Sequence, residues 1–176
     1  QLMLRIIRKI LLICNNYDSF SLEEDGHIEA QISREYADLS LSNPPSFERA
    51  ESTIDALELL REPGRSYDLI ITMYNVGELD VFDFSRQAKE LSPGTPIVLL
   101  SSYSKEIYRH IQDSDKTHID YVFWWNNDTD LLIAIIKLLE DSLNADHDIL
   151  DMGVRAILLV EDSVRLYSSI LPTLYK

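Results

Sequence analysis

Cys14, Asn15 and Asn16 end the apolar run ILLI at 10–13, and three further apolar runs end in Met73 to Gly77, Ser101 to Tyr103 and Trp124 to Asn126. If these runs are parallel strands, their carboxyl ends share one rim of a sheet, where ligands are held. Carboxylates on such a rim would bind a hard divalent cation, and one of them could take up a phosphoryl group as an acyl phosphate. Cys14, Asn15 and Met73 offer at best one neutral amide oxygen, so Mg²⁺ binding is expected to be weak or absent. A thioether forms no acyl phosphate, and Trp124 brings no ammonium to neutralise phosphoryl oxygens. The rim is therefore expected to have no catalytic residue, no metal and no cofactor.

Other candidates lack a setting. Asp18, Glu78 and Asp80 fall in loops, where acids are mostly solvated. Ser101 and Ser102 would need a base within hydrogen-bond reach to act as nucleophiles, and no motif brings His27, His110 or His118 there. The spacing of His110 and His118 is too loose for a zinc site. Neither GxxxxGK[ST] nor GxGxxG occurs, so a nucleotide has no backbone cradle. LLICNNYDSF (11–20) resembles the first strand of glutamine amidotransferase domains, but Cys14 precedes the turn and has no glycine-rich nucleophile setting.

Five short runs read as strands: KILLIC (9–14), SFERAES (46–52), DLIITM (68–73), PIVLLSS (96–102) and DYVFWW (120–125). Between them lie stripes at helical spacing: Ile28 and Ile32; Ile54, Leu57 and Leu60; Val81, Phe84, Ala88 and Leu91; Ile107 and Ile111. Leu132, Ile135, Leu139 and Leu143 complete the series. Several strands are apolar throughout rather than alternating, as burial on both faces demands. Turn sequences EPGRS (62–66) and SPGTP (92–96) close the second and third helices. The pattern predicts an α/β fold, a doubly wound five-stranded parallel sheet of order 2-1-3-4-5 with helices on both faces.

Residues 8–144 resemble the receiver domain of bacterial response regulators, which is CheY-like and flavodoxin-like in fold; YDLIITMYNVGELDVFDF (67–84) is similar to its third strand, loop and helix. Such domains carry an acidic pair after the first strand, a phosphoacceptor aspartate ending the third, a hydroxyl ending the fourth and a lysine ending the fifth. By that resemblance Cys14 and Asn15 stand in place of the acidic pair, Met73 in place of the aspartate and Trp124 in place of the lysine. Trp125 stands where proline often follows, Ser101 matches the hydroxyl and Tyr121 the aromatic position associated with switching. The resemblance implies a pseudo-receiver, an interaction module and not an enzyme, with Ser101, Tyr103, Tyr121, Trp124 and Trp125 as candidate switch or contact residues. Adjacent strand residues point to opposite faces, so Trp124 and Trp125 fill one core site only if the strand has ended. The family's contact face implies a search near residues 103–143. A receiver that accepts phosphoryl by substitute ligands, a small-ligand sensor and a regulatory domain of a phosphoenolpyruvate-utilising enzyme are the other readings, the last from similarity to regions of such proteins.

AILLVEDS (156–163) repeats the first strand but ends in Glu161 and Asp162. The expected organisation is a receiver-like domain at 1–145, a linker or helix overrun at 146–153, and at 154–176 the start of a second receiver-like domain. One strand and one helix bury no core alone, so the tail either opens that domain or packs on the first; an exposed AILLV also invites strand pairing or a swapped homodimer. With 30 acids against 16 bases, a formal charge of −14 argues against nucleic acid and anionic membrane as partners and leaves proteins or neighbouring domains. Cys14 is the only cysteine, so no intrachain disulfide forms and a reducing, cytoplasmic setting is expected. No apolar run reaches the about 20 residues that span a bilayer.

Overall fold

The computed structural model describes residues 4–15, 28–38, 43–126 and 128–175. The five apolar runs form one parallel sheet: β1 (Lys9–Ile13), β2 (Ser46–Ala50), β3 (Leu69–Met73), β4 (Ile97–Ser101) and β5 (Tyr121–Trp124), in the order 2-1-3-4-5. Each strand lies within the residues expected of it and is shorter by one or two. β3 and β4 are buried along their whole length, which is why LIITM and IVLLS carry no polar alternation. The edge strand β2 is polar: Glu48 accepts from Lys9 Nζ at 2.9 Å, pairs with Arg65 and takes the Tyr67 hydroxyl at 2.9 Å. The Lys9 hydrogen bond leads the effects that hold the Glu48 carboxyl below its usual range. Such a charged cluster guards an open edge against pairing with another chain.

Helices α1 (Ile28–Asp38), α2 (Thr53–Arg61), α3 (Val81–Leu91), α4 (Lys105–Asp113) and α5 (Thr129–Asp146) link or follow the strands. α1 packs with α5 and α2 with α3, a helical layer on each face of the sheet. Their starts are capped by local chemistry. Ser52, Asp80, Ser104 and Asp128 each accept a backbone N–H of the first turn, at 2.8–3.1 Å.

The chain enters β1 along α5, held by that helix's polar side chains. Arg5 N–H donates to Asn144 Oδ1 at 2.8 Å, and Asn144 Nδ2 donates back to the Arg5 carbonyl at 2.7 Å. Ile7 N–H donates to Glu140 Oε1 at 3.0 Å, while Lys137 Nζ donates to Glu140 Oε2 at 2.8 Å. Glu140 is fully buried, so this pairing is what allows a carboxylate to sit in the core.

The last helix overruns. α5 continues into one turn of π-helix at His147–Asp151. Residues 154–163 form neither helix nor strand, so the strand expected in AILLV is not made. β1 has two parallel neighbours to satisfy its backbone, and among the described residues AILLV has none: Ile157, Leu158 and Val160 are 89%, 86% and 81% exposed. The helix expected after it does form, as α6 (Val164–Leu174), and it packs against β5 and α5. Among the described residues no helix is long and apolar enough to cross a membrane.

Candidate functional site

Strand register brings the rim residues to one level. Ser101 lies opposite Trp124, Met73 opposite Leu100, and Ile13 opposite Thr72, which puts Cys14 level with Met73. Parallel pairing of apolar strands is enough to make this alignment, whatever residues end the strands. Those residues are buried: Cys14 is 0% exposed, Ser101 2%, Met73 6% and Trp124 7%. A thiol, a thioether and an indole thus line the ground where charged oxygen ligands would be needed, and Ser101 Oγ donates to the Ser102 carbonyl at 3.1 Å.

Hydrogen bonds link the loops that a bound cation could otherwise bridge. Asn15 Nδ2 donates to the Asn75 carbonyl at 3.1 Å, joining the loop after β1 to the loop after β3. Thr53 N–H donates to the Val76 carbonyl and Thr53 Oγ1 to the Leu79 carbonyl, both at 2.9 Å, which pins the same loop to the start of α2. Gly77 sits at φ +113, and a Cβ there would come 3.1 Å from Ser52 Cβ; only glycine fits this approach without strain. Beyond it the Tyr74 hydroxyl and His110 Nδ1 are 2.5 Å apart, connecting β3 to α4, and Phe82 packs edge-on to the same imidazole. Burial raises the Tyr74 hydroxyl above its ordinary pKa, with the charge of Asp80 adding to the effect.

Trp124 carries an aromatic lid. Tyr103 meets it edge-on at 5.5 Å between centroids and Tyr108 lies tilted at 6.1 Å. β5 ends at Trp124, so Trp125 turns into the core as well and is 9% exposed. Of the residues expected at a contact face, Ser101, Trp124 and Trp125 are buried, Tyr121 is half-buried and Tyr103 is open at 56%. Among the described residues no three His, Cys, Asp or Glu groups are placed to hold a metal ion. Asp80 caps α3, and Glu78 is exposed; Asn16, Asp18 and His27 lie outside the described residues. His118 has no placed role at the rim.

Sequence reading missed the partner of β5. Trp124 N–H points away from β4 and donates to Ser168 Oγ on α6 at 2.9 Å. Tyr167 stacks on Phe123 at 5.8 Å, Leu171 is 1% exposed, and the Tyr175 hydroxyl donates to Asp141 Oδ2 at 2.7 Å. The spacing of Val164, Tyr167, Ser168 and Leu171 marks one helical face in the sequence, but nothing local names β5 as its target. Burial raises the hydroxyl pKa of both Tyr167 and Tyr175, and the bond to Asp141 adds to the effect at Tyr175. A folded pKa above the unfolded value means docking is fully stabilised below about pH 10 and weakens as pH climbs through the folded values. Tyrosinate absorbance and helical circular dichroism should therefore change together above about pH 10, and Tyr175→Phe should remove part of that dependence. An alkaline loss of helix unaltered by Tyr175→Phe would place its origin elsewhere.

No model of a known protein family matches the sequence, and no curated protein matches it. Solved structures do. A CheY-like response regulator receiver domain protein from Methanospirillum hungatei superposes with a TM-score of 0.58 at 13% identity, over 80% of this chain and 98% of that one. The response regulator TrrA of Thermotoga maritima, solved with Mg²⁺ and beryllofluoride, gives 0.53 at 17%, over 76% and 99%. A streptococcal protein, from a family of redox sensors evolved from two-component response regulators, gives 0.58 at 17%, over 90% and 59%. With strand order 2-1-3-4-5, the chain has the CheY-like, flavodoxin-like receiver fold.

Proposed function

We propose that this chain is a receiver-like signalling module that works through protein contact and does not accept a phosphoryl group. The observation that carries the reading is the buried rim of Cys14, Met73 and Trp124, crossed by the Asn15–Asn75 hydrogen bond. Acyl-phosphate formation needs a carboxylate nucleophile, a cation to screen the incoming oxygens and room for both. None of these three side chains meets any of those needs. The streptococcal neighbour supports the reading by example, since its family of redox sensors evolved from response regulators. With phosphoryl chemistry set aside, what the fold offers is surface: the half-buried Tyr121 and the open Tyr103, beside the face of β5 and α5 that α6 already covers. On this reading the chain is not an enzyme, and a cytoplasmic setting suits its buried thiol.

Incubation with acetyl phosphate and Mg²⁺, followed by mass spectrometry of the intact chain, tests the claim. The expected spectrum is unchanged. A phosphoryl adduct that maps to the rim and is labile to hydroxylamine would overturn the reading, because it would require an acyl phosphate there.

A further inference from the structure

Residues 154–163 form a strap tied down at both ends. Val154 N–H donates to the Asp148 carbonyl at 2.9 Å at one end, and at the other Ser163 caps α6, which is seated on β5 and α5. Between these anchors the chain runs without turn or bend. Among the described residues no backbone N–H or carbonyl of 155–162 finds a partner within the chain. Its side chains are apolar, and Ile157, Leu158 and Val160 lie open to solvent. An extended apolar segment with a bare backbone is a template for pairing with another strand. Its two ends carry opposite charge, since Arg155 and Glu161 stand three residues to either side of Leu158. Among the described residues neither forms an ion pair; one Glu161 oxygen accepts the Ser163 N–H at 2.8 Å.

We infer that this strap pairs with the strap of a second copy of the chain, antiparallel about a two-fold axis through Leu158. In that register Arg155 of each copy faces Glu161 of the other, Ala156 faces Val160, Ile157 faces Leu159 and Leu158 faces itself. Opposite charges facing across strands stabilise a pair, and like charges destabilise it. Parallel pairing would set Arg155 against Arg155 and Glu161 against Glu161. A two-fold axis keeps each side chain on its own face, so symmetric registers differ in steps of two residues. One step either way puts Arg155 opposite Leu159 or Ser163 and loses both ion pairs. Asp162 falls opposite Val154 at the end of the ribbon, where water reaches it. A third strap would lie about 10 Å from the first, too close for the domains that carry them, so association stops at two. Seven residues a side is well short of the about 20–30 of a standard interface, so the dimer is weak, although anchored ends lower the cost of ordering. Each copy carries a charge of −14, and exposed ion pairs contribute little, so moderate salt should strengthen the dimer by screening the repulsion between copies. The pairing is independent of the chemistry at the rim.

Sedimentation velocity of the whole chain from about 10 μM to about 1 mM should show a reversible monomer–dimer equilibrium. Leu158→Lys brings two ammonium groups face to face and should weaken it by at least about tenfold. Arg155→Glu and Glu161→Arg should each weaken it as well, and an equimolar mixture of those two variants should regain association, because opposite charges then meet at both ends. Glu161→Arg also removes an acceptor before α6, and helical circular dichroism checks that the helix stays formed. Cross-linking gives the register without touching Glu161. Under mild oxidation Leu158→Cys should link two copies, while Arg155→Cys, about 20 Å from its counterpart, should not; the native Cys14 is buried. A monomer throughout the concentration range would overturn the proposal. A dimer indifferent to Leu158→Lys would also overturn it, by placing the contact elsewhere or in an exchanged α6, and so would growth beyond two copies. Arg155→Cys linking as fast as Leu158→Cys would refute the two-fold register.

Discussion

Met73→Asp is expected to lower the stability of the fold by about 3–5 kcal/mol and to confer no phosphoryl acceptance. Met73 is 6% exposed and level with Cys14 in the sheet. Trp124, which ends β5 level with Ser101, brings no ammonium to a carboxylate placed there. Its pKa should rise well above the ordinary carboxylate range, because burial without a counter-charge favours the neutral form. Urea denaturation as a function of pH checks both statements: the deficit should grow as pH rises through the raised pKa and shrink in acid. A single aspartate is not a site. Phosphoryl acceptance should need Cys14→Asp, Asn15→Asp and Trp124→Lys in the same chain, which together supply metal ligands, nucleophile and cation. Phosphorylation of the Met73→Asp chain alone would show that the rim already holds an unrecognised ligand set.

Glu140→Ala is expected to cost a similar amount, about 3–5 kcal/mol, for the opposite reason. Here a buried charge already has its partners, and removing it strands them. Lys137 Nζ, 4.7 Å above the Tyr36 ring, would keep its charge in a largely buried position without a counter-ion. Ile7 N–H would lose its acceptor next to a side chain that is 1% exposed. Glu140→Gln keeps an acceptor for Ile7 and should lose less. Chemical denaturation of both variants gives the difference. Equal stability of wild type and Glu140→Ala would mean that the approach of residues 5–7 to α5 is held by packing alone.

The two sites show where sequence reading succeeds and where it stops. The sheet was legible because ILLI, LIITM and IVLLS are apolar on both faces, a pattern that belongs to parallel strands beneath helices. The rim residues were legible for the same reason, since they follow directly from where the strands end. Glu140 was not: it lies in a helix of eighteen residues with many apolar neighbours, and only Lys137 three positions earlier hints at a buried pair. The Asn15–Asn75 bond joins residues 60 apart and leaves no local trace. AILLV misled because its composition is that of β1, while strand formation depends on neighbours that the composition cannot supply. The five residues 164–168 show both outcomes: the helix was expected, its seat on β5 was not.

The central claim, that the rim carries no phosphoryl site, is tested most directly by titrating the chain with Mg²⁺ and beryllofluoride and following the amide resonances of Cys14, Asn15, Met73 and Ser101 together with the fluorescence of Trp124 and Trp125. No saturable change at millimolar metal is predicted. A saturable response centred on those amides would contradict the account, because it would show that oxygen ligands reassemble at the rim and receive a phosphoryl mimic.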